Sequence, residues 1–173
     1  SSNKYRKFVR ELKQKGVVKY GIDHTSDVGV FFVKKKDGSL RLIFDTRVAN
    51  CYFKSPHKTD LMGPAGLADV ICDEEGWDFG QGDVKNAFYL FKTPTWLHKH
   101  FCLPPVRARD VGLKELDGVV LAGHELIYPQ VQVLPMGWSW ATYFCQSAVV
   151  SSILKGGHVT DSDLMKGNHP IPP

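Results

Sequence analysis

The sequence has little cysteine: four residues in 173, Cys51, Cys72, Cys102 and Cys145, with no C-x-x-C pair. That spacing argues against a zinc site and points to an intracellular chain, cytoplasmic or nuclear, with free thiols. No apolar run approaches the ~20 residues of a membrane helix, so no membrane partner is expected. Residues 1–10 are polar and basic, without the apolar stretch of a secretory signal behind them. Repeats and low-complexity segments are absent too.

What is present suits one domain, or one and part of another, with 43% hydrophobic residues to build a core. The net charge of +4 hides an asymmetry: residues 1–60 carry 14 Lys/Arg against 6 Asp/Glu, and residues 61–173 carry 8 against 12. Such a chain can hold phosphates with its front and cations with its middle. A solvated basic helix followed by an ordinary acidic domain explains the same numbers.

Residues 3–15 predict an amphipathic helix, with Tyr5, Phe8, Val9 and Leu12 on one stripe and Gly16 as its stop. Residues 28–45 predict a hairpin, because two β-rich runs flank Asp37-Gly38. Lys34, Lys35 and Lys36 fall at its tip and Arg41 on the returning arm. Cations so placed can close over a triphosphate, or they can simply protect an edge strand. Asp45, Thr46, Arg47 and Asn50 form a polar string, in which Arg47 can pair with Asp45. Residues 51–66 read as an irregular connector, followed by a short helix at 67–72 and a solvated acidic turn at 73–76.

Residues 77–94 read W-D-F-G-Q-G-D-V-K-N-A-F-Y-L-F-K-T-P. Alternation puts Trp77, Phe79, Gln81 and Asp83 on one face of a strand, with Asp83 projecting from its end. Phe88 and Tyr89 follow in an apolar cluster. This is a platform for a metal and a nucleotide, or a half-buried strand whose Asp caps the next turn. His98 and His100 could share a strand face and bind a metal, although no third ligand is evident. Residues 106–126 read as a surface loop or small hairpin. A strand at 131–134 then runs into Pro135-Met136-Gly137 and a helix from about Ser139 to Leu154, with Gly137 allowing close approach at the corner.

In order, K-K-K-D-G-S-L-R, F-D-T-R-V-A-N, G-D-V-K-N-A-F-Y and V-L-P-M-G-W-S-W-A resemble the reverse transcriptases of retroviruses and retrotransposons, over roughly residues 28–154. The resemblance implies an α+β right-hand polymerase fold: fingers and partial palm, an antiparallel sheet with packed helices, and no thumb. Residues 1–27 would be a basic helix and connector. Residues 28–173 would be the fingers and palm portion, ending before the second catalytic aspartate motif.

The resemblance further implies that Lys35 and Arg41 grip the incoming triphosphate and that Asp83 is a catalytic metal ligand, joined by the carbonyl of Val84. Phe88 would be the steric gate against a ribose 2′-hydroxyl. Met136, where retroviral members usually carry Gln, and Gly137 would pack nucleotide and template–primer. The implied cofactor is a pair of Mg2+ ions, with Mn2+ able to substitute. The implied partners are an RNA or DNA template with its primer and deoxynucleoside triphosphates. Such ions sit about 3.5–4 Å apart and need more than one carboxylate. Asp161 and Asp163 lack the aromatic and apolar context of the missing motif and read as a loop. The expected activity is RNA-directed DNA synthesis in a complete enzyme, the fragment alone being inactive. The alternative is a catalytically dead nucleic-acid-binding remnant. Phe88 argues against an RNA-directed RNA polymerase.

Overall fold

The computed structural model describes residues 2–59, 61–62 and 80–167. It divides into two compact units, Ser1–Ser55 with Asn86–Ala141 and Pro56–Lys85 with Thr142–Pro173. The architecture is mixed α+β, with small antiparallel sheets and a few helices. Among the described residues no helix is long and apolar enough to cross a membrane.

The first unit opens with helix α1, Asn3–Gln14. Ser2 caps it, its hydroxyl accepting from the Tyr5 N–H at 3.3 Å, which satisfies one of the free donors of the first turn. Val9 and Leu12 bury the apolar stripe, and Gly16 at φ +67° turns the chain out of the helix. Strand β1, Val18–Gly21, follows. Strands β2, Gly29–Lys34, and β3, Leu40–Asp45, pair as the predicted hairpin. Its connection spans five residues: Lys35 N–H donates to Ser39 O at 2.8 Å, and Gly38 lies at φ +82°. Asp37 accepts from both the N–H and the hydroxyl of Ser39, which shapes the turn from within. Two short helices come next, α2 at Arg47–Asn50 and α3 at Ala87–Leu90.

Among the described residues no strand reaches Asp83. Trp77 and Phe79 lie outside the described residues, as do the helix expected at 67–72 and the acidic turn at 73–76. Residues 80–84 are irregular and exposed. Gly80 and Gly82 give this stretch no side chains to pack on alternate positions, and among the described residues no strand pairs with it.

A 3-10 segment at Thr95–His100 leads to strand β4, Val106–Arg107, and a 3-10 turn at Ala108–Val111. Strands β5, Glu115–Leu116, and β6, Val119–Val120, form a small hairpin. Asp117 at φ 49° and Gly118 at φ 81° make its turn, the left-handed pair that suits a two-residue connection. Strand β7, Leu126–Val131, completes a three-stranded antiparallel sheet of order β1-β7-β4. Two expectations are thereby corrected. The strand predicted at 131–134 lies further back, because the pairing partners Val18–Gly21 and Val106–Arg107 align with residues 126–131. The 106–126 excursion is surface hairpin only in part, since Val106 and Ala108 are fully buried.

The core of this unit joins Val9 of α1, Tyr20 of β1, Val106 of β4 and Ile127 of β7, with Tyr5 and Leu113 packed on it. Each fully buried Val or Ile of this kind contributes about 1.5–3 kcal/mol. A second, aromatic cluster holds the corner after β7. Phe53 stacks on Phe101 at 6.0 Å, and Trp138 meets both edge-on at 5.2 and 5.5 Å, the tilted geometry that ring quadrupoles favour.

Helix α4, Ala141–Lys155, continues into the second unit. There the rings of His57 and Tyr143 lie 5.7 Å apart. Asp161–Asp163 is a 3-10 turn closed by a reciprocal cap: Thr160 donates its N–H and hydroxyl to Asp163 Oδ2 at 2.6 and 2.7 Å. Asp161 pairs with Lys166 at 2.6 Å. The loop reading of both acids holds.

Candidate functional site

Strand β3 organises the site. Its register sets Arg41 opposite Val33, so these two share a face, while Lys34 ends β2 and Lys35 and Lys36 lie in the turn beyond it. Arg41 and the three lysines are exposed. Among the described residues none of the four forms an ion pair, and the Asp37 carboxylate in the turn offsets part of their charge through Lys35.

Two further segments of the chain reach β3. Tyr89, next to Phe88 on α3, donates its hydroxyl to Leu42 O at 3.2 Å. Burial raises the Tyr89 phenol above its ordinary value, and the charge of Arg41 works against that rise. The arginine and the phenol are therefore electrostatic neighbours. Phe88 itself is half-buried.

The Met136-Gly137 corner meets the far end of β3. A Cβ on Gly137 would stand 2.7 Å from Phe44 O and 2.8 Å from Thr46 Oγ1, so only glycine fits without a shift. Asn50 ties the same corner down through both ends of its amide: Nδ2 donates to Gly137 O at 3.2 Å, and Oδ1 accepts from Ser139 N–H at 3.0 Å. Trp140 Nε1 adds a bond to Lys54 O at 2.7 Å. Met136 is half-buried.

At the Asp45 end of β3, beside the Gly137 corner, lies a cavity of about 280 Å³, lined among others by Phe31, Ile43, Asp45, Thr46, Arg47 and Gly137. Arg47 grips Asp45 bidentately, with Nε–Oδ1 at 2.9 Å and Nη2–Oδ2 at 2.6 Å. That pair holds the Asp45 carboxyl below the usual carboxylate range. The Thr46 hydroxyl is buried without a hydrogen-bond partner, a costly arrangement for a polar group. The cavity is an apolar hollow of Phe31, Ile43 and Phe44 with the Asp45–Arg47 ion pair at its rim. The polar string is legible in the sequence, whereas the roles of Asn50 and Thr46 within it are not. The dense polar spacing right after a β-rich run is the available signal.

Asp83 and Val84 stand apart in kind, on an exposed and irregular stretch. Among the described residues no three His, Cys, Asp or Glu side chains come together to hold a metal ion. The histidine pair is no exception. His98 is buried with Nε2 2.9 Å from Thr93 O, and burial lowers its pKa. It is a core histidine, because a neutral ring costs less to bury than a charged one. Comparison of the chain with models of known protein families gives no match, and no curated protein matches it.

Proposed function

We propose that this chain forms the fingers and partial palm of a reverse-transcriptase-type enzyme. In that reading it serves an RNA-directed DNA polymerase, which adds deoxynucleotides to a primer 3′-hydroxyl on an RNA or DNA template. One observation carries the proposal. The cationic hairpin, the Phe88-Tyr89 segment and the Met136-Gly137 corner, far apart in sequence, meet on the single strand β3. Lys35 and Arg41 hold the triphosphate, Arg41 with a planar fork suited to phosphate oxygens. Phe88 is the gate against the ribose 2′-hydroxyl. Met136 and Gly137 contact nucleotide and template–primer.

The described residues fit the binding part of this activity rather than its metal part. Magnesium prefers several carboxylate, phosphate and water oxygens. Asp83, even with the Val84 carbonyl, belongs to no group of three ligands among the described residues.

The test is a fluorescence titration with a deoxynucleoside triphosphate, and separately with a template–primer duplex. Lys35→Ala and Arg41→Ala should each weaken triphosphate binding about tenfold or more, the scale of one charge-assisted bond. Wild-type affinity in both variants would overturn the assignment.

The exposed cations of the hairpin also suit a second reading, a nucleic-acid-binding module without catalysis. It predicts template–primer affinity that is unchanged by Asp83→Asn and by removal of magnesium. The polymerase reading predicts that both changes weaken the ternary complex with triphosphate.

A further inference from the structure

Val106 and Ala108 are buried in the sheet edge and the following turn, and between and after them Arg107 and Arg109 are exposed. The backbone beneath these arginines is pinned at three points. Arg107 pairs with Leu126 across the strands, Ala108 N–H donates to Glu125 O at 2.9 Å, and Arg109 N–H donates to Gly123 O at 3.1 Å. With Arg6 of α1 they line a cavity of about 530 Å³, whose one acidic lining residue is Asp110. Arg6 Nη1 engages that carboxylate at 3.3 Å, and Arg10 Nη2 donates to the Asp110 backbone oxygen at 2.5 Å. Among the described residues neither Arg107 nor Arg109 forms an ion pair. The nearby Glu125 carboxylate is itself turned to the Ala122 N–H at 2.9 Å.

The wall therefore carries an excess of positive charge on a rigid mount, inside a concavity rather than on an open face. We propose that this cavity is a binding site for phosphate groups, with Arg107 and Arg109 as the anion ligands and the Arg6–Asp110 pair as its wall. Guanidinium forks match the paired oxygens of a phosphate, and prior fixing of the backbone lowers the ordering cost of binding. The site shares no residue with the β3 cavity and does not rest on the polymerase reading. The phosphate has two chemical sources, a free anion such as pyrophosphate or the backbone of a nucleic-acid strand.

The experiment uses the full chain with two probes, sodium pyrophosphate and a short single-stranded DNA oligonucleotide. Arg107 and Arg109 Nε–H resonances are followed, and affinity is measured across salt concentrations. The double variant Arg107→Ala/Arg109→Ala, exposed at both positions, should keep its melting temperature and lose about tenfold or more in affinity for at least one probe. Loss for pyrophosphate alone assigns the site to a free anion. Loss for the oligonucleotide, with a salt slope reduced by about one to two, assigns it to strand backbone. The comparison is repeated in the Lys35→Ala/Arg41→Ala background, where a further loss on removing Arg107 and Arg109 reports this site alone, and triphosphate affinity in the Arg107→Ala/Arg109→Ala variant reports the hairpin alone, so the two sites fail independently. If the double variant binds both probes like wild type, the proposal is overturned.

Discussion

Asn50 holds Gly137 from across the chain: its amide nitrogen donates to the Gly137 carbonyl at 3.2 Å while its amide oxygen accepts from Ser139 N–H at 3.0 Å. One side chain thus fixes both sides of the corner that faces the end of β3. Asn50→Ala removes two bonds and should cost about 1–3 kcal/mol. Urea unfolding measures the loss, and amide exchange should quicken at Ser139 first. Unchanged exchange there would mean that the corner is held by the aromatic cluster alone.

Gly137→Ala tests the close approach itself. The added methyl would sit 2.7 Å from Phe44 O, below any ordinary carbon–oxygen contact, so the corner or the strand must move. A loss of about 1–3 kcal/mol is expected, as for other overpacked positions. Removing the Thr46 side chain as well should not restore it, because the Phe44 carbonyl remains in the way. A thermal melt of the single and double variants decides.

Thr46→Val should hold stability or raise it by about 1 kcal/mol. The hydroxyl it removes is buried and unpartnered, and an unsatisfied buried polar group costs on that order. If the cavity takes a ligand through this oxygen, the same variant should bind a triphosphate less tightly while folding at least as well. Stability and binding moving in opposite directions would mark a functional hydroxyl.

Acid should weaken the fold through His98. Burial holds its folded pKa below the ordinary 6.5, so between those values the unfolded chain binds more protons than the folded one. Its contribution is fully present above pH 6.5 and is lost as pH falls toward the folded value. His100 is lowered in the same direction, also by burial first. Urea midpoints at pH 7.5 and 5.5 should therefore differ, and His98→Phe should shrink that difference without abolishing it.

Thiol labelling should separate Cys51 from Cys102. Cys51 is exposed, whereas Cys102 is fully buried with its thiol pushed up to about 12 by desolvation. The thiolate is the reactive form. Iodoacetamide at mildly alkaline pH should modify Cys51 in the folded protein and Cys102 only with unfolding. Early labelling of Cys102 would mean that the strand-edge segment opens far more often than its burial implies.

The local elements were written in the sequence because short-range physics decides them. The apolar stripe of Tyr5, Val9 and Leu12 and the stop at Gly16 gave α1. The β-rich runs around Asp37-Gly38 gave the hairpin, and the apolar run after Gly137 gave α4. Strand position was harder. Val131, Val133 and Leu134 look like a strand locally, yet the ladder runs over Leu126–Val131, where Val18–Gly21 and Val106–Arg107 lie alongside. The stretch at Asp83 shows the converse, an alternating pattern with no partner among the described residues to make it a strand.

By itself the sequence determined the first and last long helices, the hairpin with its turn chemistry and the grouping of cations at its tip. Only the tertiary structure decided that Asn50 clamps Gly137, that Thr46 keeps a buried unused hydroxyl and that Arg107 and Arg109 join Arg6 around one cavity. Helix and turn preferences act over a few neighbouring residues. Contacts between distant segments depend on sheet register and packing, which no local window contains.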